Sequence, residues 1–217
     1  MNFLQIVIQQ AITNGVSEET IILLLLLPLV ASVVAAARHL VGFRGFGIFI
    51  PTAIAMTFVT TGIGTGVLIF LTILAVATFS RRLLRRLKFH YLPRMALFLW
   101  FVTLAVLGLI FVSPYLGLGQ LTTISIFPIV ILILLTEEFI AVQIGKSLRE
   151  AARLTMETIT IALIGYLIFS LNFLKEWALI YPQWIVLIPL ILNFWVGRFT
   201  GLRLLEYRRF RRLLKYD

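Results

Sequence analysis

The sequence predicts an all-α, polytopic membrane protein of seven transmembrane helices, with its N-terminus outside, its C-terminus inside and interfacial helices on the cytoplasmic side. Three observations carry that prediction. Of 217 residues, 61% are hydrophobic and 13% charged, against about 25% charged in an average soluble domain. The apolar residues come in runs of about 20, the length a helix needs to cross a ~30 Å hydrocarbon layer. The basic residues fall in alternate connections between those runs.

The first 19 residues form a short N-terminal segment. They contain no Lys or Arg and carry Glu18 and Glu19, so the positive start of a secretory signal is missing and the segment is expected to be retained. Residues 3 to 12 have the pattern of a short interfacial helix ending near Asn14-Gly15, with Ser17 placed to cap the next helix. The membrane domain, 20 to 197, holds spans over 20 to 38, 46 to 62, 64 to 80, 95 to 113, 122 to 137, 156 to 173 and 178 to 197. A basic cytoplasmic tail, 198 to 217, closes the chain.

All of the 19 basic residues except Lys175 lie after spans one, three, five or seven. Positive-inside bias therefore puts those connections in the cytoplasm, and six or eight spans would destroy the separation. Residues 81 to 94 and 138 to 155 are long enough for cytoplasmic interfacial helices, while the outer connections, 61 to 64, 113 to 122 and 172 to 177, are short. In the tail, LRLLEYRRFRRLLK places Arg208, Arg209, Arg211 and Arg212 among apolar residues at helical spacing. That pattern suits an anchor on anionic headgroups or a docking surface for a cytoplasmic partner.

Several function classes drop out. With no cysteine, disulfides, thiolate metal sites and cysteine nucleophiles are unavailable. His39 and His90 are single and far apart, so no metal site is expected. No nucleophile elbow, phosphate-binding loop, HExxH or dinucleotide fingerprint occurs, and no cofactor is expected. The formal net charge of +10 would suggest nucleic acid in a soluble protein. Here it flanks lipid-length runs, and no nucleic-acid partner is expected.

The densest unusual stretch is RHLVGFRGFGIFIPT, 38 to 52, where Arg38, His39, Arg44, Gly45, Gly47 and Pro51 enter the second span. Glycine admits a second backbone and proline frees a carbonyl, so a kinked packing helix and a binding site are both compatible with it. Span five also carries a proline, Pro128, and ends on Glu137 and Glu138. The Phe and Pro placed close together in two spans of opposite direction would fit an inverted repeat of interrupted helices. Carboxylates near a membrane need named partners. Glu137 and Glu138 are placed to pair with Arg38, Arg44 or Arg94, and Glu150 and Glu157 offer the same, while Arg149 and Arg153 share a helix face. Gly62, Gly64 and Gly66 are spaced for helix contact, and a homo-oligomer is among the readings.

The segment FRGFGIFIPTAIA, 43 to 55, resembles the small multi-spanning membrane component of bacterial poly-γ-glutamate synthase. Through FGIFIPTAIAMTF, RRLLRRLKFHYLPRMAL, ISIFPIVILILLTEEF and SLREAARLTMETI, the chain is similar to the seven-helix membrane domain usually fused behind an inactive, periplasmic transglutaminase-like domain. The resemblance implies a non-catalytic, multi-pass component of the bacterial inner membrane that works beside a cytoplasmic ATP-grasp or Mur-type amide ligase, with a polymer export route and a periplasmic partner domain. Starting at Met1 without that outer domain, the chain is expected to be a stand-alone version or a separately encoded half. An independent small-solute transporter with proline-broken helices and an oligomeric scaffold are the alternatives.

Overall fold

The computed structural model describes residues 3–84, 90–115, 126–145 and 147–199. Among them are nine α-helices and no strand: α1 (Phe3–Thr13), α2 (Glu18–Ala36), α3 (Phe49–Thr61), α4 (Ile63–Leu84), α5 (Tyr91–Val112), α6 (Ile126–Gly145), α7 (Leu148–Ser170), α8 (Asn172–Ile180) and α9 (Pro182–Arg198). Each of the seven expected spans corresponds to a helix from α2 to α7 or to α9. By length and apolarity, four described segments can cross a membrane unaided, Glu18–Val41, Ile63–Leu84, Leu92–Val112 and Leu148–Ser170, and the α8–α9 pair makes a fifth if counted as one bent span. The basic tail, including Arg208, Arg209, Arg211 and Arg212, lies outside the described residues.

The chain divides into two compact units, residues 1–56 with 156–217, and residues 57–155. In the first, α2 packs on α9. Leu26, Val30 and Val34 recur every four residues and are almost fully buried, so one stripe of an otherwise uniformly apolar helix faces protein. A polar contact joins the same two helices: the Asn193 amide donates to Ser32 Oγ at 2.9 Å, while the Ser32 hydroxyl donates to the Pro28 carbonyl at 2.8 Å. Ser32→Ala should cost about 0.6–1.7 kcal/mol, the range of interhelical side-chain hydrogen bonds in membranes. Detergent-titrated unfolding of the purified protein reads it.

The second unit packs α4 against α5 and α6. Ile69, Ile73, Ala77 and Leu84 of α4, and Phe98, Val102 and Val106 of α5, make the buried stripes. Leu99, Trp100, Leu104, Leu107 and Phe111 cover the rest of α5 and stay exposed, as they would to lipid. Helix threonines such as Thr72, Thr78 and Thr136 donate to the carbonyl four residues earlier at 2.8–3.0 Å. That bond satisfies a hydroxyl where no water is at hand.

Five local expectations are corrected. Residues 172–177 are not an open connection but the start of α8, whose Phe173 and Trp177 form an aromatic ladder with Tyr181 just beyond its end, with ring centroids 5.2 and 5.7 Å apart. The chain then bends by 108° into α9; Pro182 at the start of α9 needs no N–H there. The described residues of 138–155 hold no separate interfacial helix, because α6 runs on to Gly145 and α7 begins at Leu148. Ser147 explains that early start: its hydroxyl accepts the Glu150 N–H at 3.2 Å, in the Ser-x-x-Glu pattern of a capping box. The second span starts only at Phe49 and is 13 residues long, since Gly42 (φ 97°) and Gly47 (φ 37°) take left-handed backbone. Pro51 and Pro128 each sit in the first turn of their helices, where a missing N–H breaks no bond, so neither interrupts a described helix. Finally, Ser17 occupies the position before α2 but makes no side-chain capping bond. The expected N-terminal helix is present as α1, and its Gln5 side chain donates to the Ile180 carbonyl at the end of α8.

Candidate functional site

Helix α2 does not stop at Ala36. It widens into a π-helical turn, Ala37–Val41, closed by the Gly42 N–H donating to the Ala37 carbonyl at 3.2 Å. Such turns are rare and cluster at functional positions. This one carries Arg38 and His39. The chain then runs without regular structure through 42–48 before α3 begins.

Irregular backbone beside a membrane needs its N–H groups satisfied by the protein. Here α7 does it with two consecutive side chains. The Arg44 N–H donates to the Glu157 carboxylate and the Phe46 N–H donates to Thr158 Oγ1 at 2.9 Å. Between those two donors lies Gly45, buried so close to α7 that an added Cβ would sit 2.8 Å from Thr158 Oγ1 and 3.3 Å from its Cα. Thr158 is only 1% exposed, so no water can replace its hydroxyl. Thr158→Val should therefore cost about 1–3 kcal/mol by orphaning the Phe46 N–H, measurable as lost thermal stability with little change in volume.

The clamp holds the Arg44 side chain outward. It joins Arg38, His39 and Gly47 in lining an open cleft of about 820 Å³, whose apolar wall includes Phe43, Phe49 and Val196. The end of α9 closes another side through His39: its Nε2 lies 3.0 Å from the Phe199 carbonyl. A carbonyl only accepts, so Nε2 carries the proton. Glu157 does not line the cleft, and no carboxylate is among its described lining residues. Two guanidinium groups and an imidazole facing one concavity suit an anionic group.

Arg38, His39, Arg44 and Gly47 thus come together, with Gly45 and Glu157 in the clamp behind them and Pro51 buried at the head of α3. Arg94, Pro128, Glu137, Glu138, Arg149, Glu150 and Arg153 fall in the second unit. There Glu137 lines a cavity of about 180 Å³ between α5 and α6, with Met95, Phe98 and Thr136. None of Arg94, Glu137, Glu150 and Arg153 is without a partner. No group of three or more metal-ligating side chains occurs among the described residues. Thr158 and Asn193 belong to the first unit's site and escape a reading of charges alone. The Ser-x-x-Glu pattern at Ser147 is visible in the sequence, and Ser147 caps α7 through the Glu150 N–H.

Lipid-length helices with thin buried stripes, lipid-facing apolar surfaces and internally satisfied backbone define a polytopic membrane domain. The chain belongs to the family described as seven transmembrane helices usually fused to an inactive transglutaminase, whose model matches residues 6–214. No curated protein and no solved structure matches it.

Proposed function

We propose that this chain is a non-catalytic integral membrane subunit of a bacterial machine that makes and exports a poly-γ-glutamate-like or peptide polymer. In this reading it sits in the inner membrane, C-terminus inside, recruits a cytoplasmic ATP-dependent amide ligase of the ATP-grasp or Mur kind, and contributes to the export route. The ligase forms the amide bonds. The observation that carries the reading is the cationic cleft, in which Arg38, His39 and Arg44 surround a space with no carboxylate among its described lining residues. Phe43, Arg44, Gly47 and Phe49 of its lining fall in the segment, 43 to 55, whose sequence resembles the small membrane component of poly-γ-glutamate synthase. A chain of glutamate carboxylates is the complementary charge.

Arg44→Ala tests this cleanly. The clamp bond comes from the Arg44 backbone, so the substitution removes the guanidinium and leaves the bond to Glu157 in place. Surface polymer should fall by about tenfold or more, the equivalent of about 1.4 kcal/mol of lost attraction, at unchanged protein abundance. Unaltered polymer would count against the reading. An independent small-solute transporter is the second reading, and its support is the 108° break between α8 and α9. Flux into liposomes holding only this chain would favour it.

A further inference from the structure

The cleft does not end at its cations. A second hollow, of about 430 Å³, runs along α9 past Leu190, Phe194 and Arg198, and it shares Asn193 and Gly197 with the first. The combined groove is therefore two-natured. At one end stand Arg38, His39 and Arg44, while Arg198 lines the second hollow with its guanidinium over the Phe194 ring, 5.9 Å from its centroid. Toward the other end the walls are apolar, with Leu190 and Phe194 largely exposed. At the junction Asn193 directs its amide N–H₂ to Ser32, which leaves its carbonyl oxygen as an acceptor. Gly197 stands at the same junction in open space: a Cβ there would meet nothing within 4 Å.

We infer that this groove is a binding site for one phosphate-headed membrane lipid. The phosphate lies among Arg38, His39 and Arg44, with Arg198 adding positive charge from the adjoining hollow, a headgroup hydroxyl donates to Asn193, and an acyl chain follows α9 past Phe194 and Leu190. Charge complementarity selects the head, since guanidinium groups match phosphate oxygens in a bidentate fork. The apolar extension selects an amphiphile over a free anion, because a hydrophilic polymer would leave the Leu190–Phe194 wall uncovered. A lipid seated here also ties the end of α9 to the π-helical turn of α2, the same two elements that His39 and Phe199 bridge. The inference uses the same Arg38, His39 and Arg44 as the polymer reading, so lipid and polymer compete for these cations; lipid retention judges the one, and polymer output and partner recovery judge the other.

The test is native mass spectrometry of the full chain released from micelles containing phosphatidylglycerol and phosphatidylcholine in equal amounts. Wild type should retain one phosphatidylglycerol. Arg38→Gln and Arg198→Gln should each lower that retention about fivefold, the effect expected of one cation near an anionic headgroup. Gly197→Leu, which fills the junction, should abolish it. Gly197→Ala adds a methyl that meets no neighbour and should retain lipid as wild type does, and it serves with Arg198→Gln if the leucine variant fails to fold. Inorganic phosphate and a soluble glutamate oligomer at millimolar concentration should leave the lipid in place. Equal retention of phosphatidylcholine, undiminished retention in Arg38→Gln and Arg198→Gln, or displacement by either soluble anion would overturn the inference.

Discussion

Replacing Gly45 with leucine should destabilise the protein by about 2–3 kcal/mol, in the upper part of the range for overpacking. The reason is geometric. The position is enclosed by the side chain and backbone of Thr158, and a β-branched residue on a helix has little rotamer freedom with which to yield. Any retreat of the segment also lengthens both clamp bonds, from Arg44 to Glu157 and from Phe46 to Thr158. Stability and the cleft should fail together, so Gly45→Leu should lose ligand retention and surface polymer along with thermal stability. A Gly45→Leu protein as stable as wild type would show that α7 does not hold the segment.

Gly165→Leu should be comparably damaging through a different contact, at about 3 kcal/mol. This glycine is where α7 meets two other helices of its unit: an added Cβ would stand 2.9 Å from both Ala55 Cβ on α3 and Val30 Cγ1 on α2. Small residues at such crossings let helices approach when no hydrophobic force drives them together in lipid. Gly64→Ala is the internal comparison, because a Cβ there meets nothing within 4 Å and its effect should stay within about 0.5 kcal/mol. Thermal unfolding in one detergent, run side by side, reads both. Equal stability of the two variants would remove Gly165 from the packing account.

Those two glycines mark the limit of what could be read from the chain alone. The existence of lipid-length helices was legible because composition and run length report directly on the solvent. Which face of each helix packs was not, because α2 and α5 are apolar all round and their buried stripes differ from their lipid faces only in contact. Gly62, Gly64 and Gly66 stand out in sequence as a helix-contact cluster, yet a Cβ at Gly64 would meet nothing within 4 Å whereas one at Gly66 would crowd Phe58 and Thr61. Gly165, alone in an apolar run, has no local signature.

The cleft divides in the same way. Charge and turn chemistry single out Arg38, His39, Arg44 and Gly47, since such residues are costly beside a membrane. Thr158 and Asn193 enter through contacts more than a hundred residues away in sequence, and nothing in their own surroundings announces them. Prolines misled for a physical reason: Pro51 and Pro128 look like interruptions in an apolar run, but a helix that begins two residues earlier accepts proline without penalty.

The most direct test of the central claim is gentle purification of the chain from its native membrane, with its companions identified by mass spectrometry. The account predicts an ATP-grasp or Mur-type amide ligase in near-stoichiometric amount. Recovery of the chain without any amide ligase would contradict it.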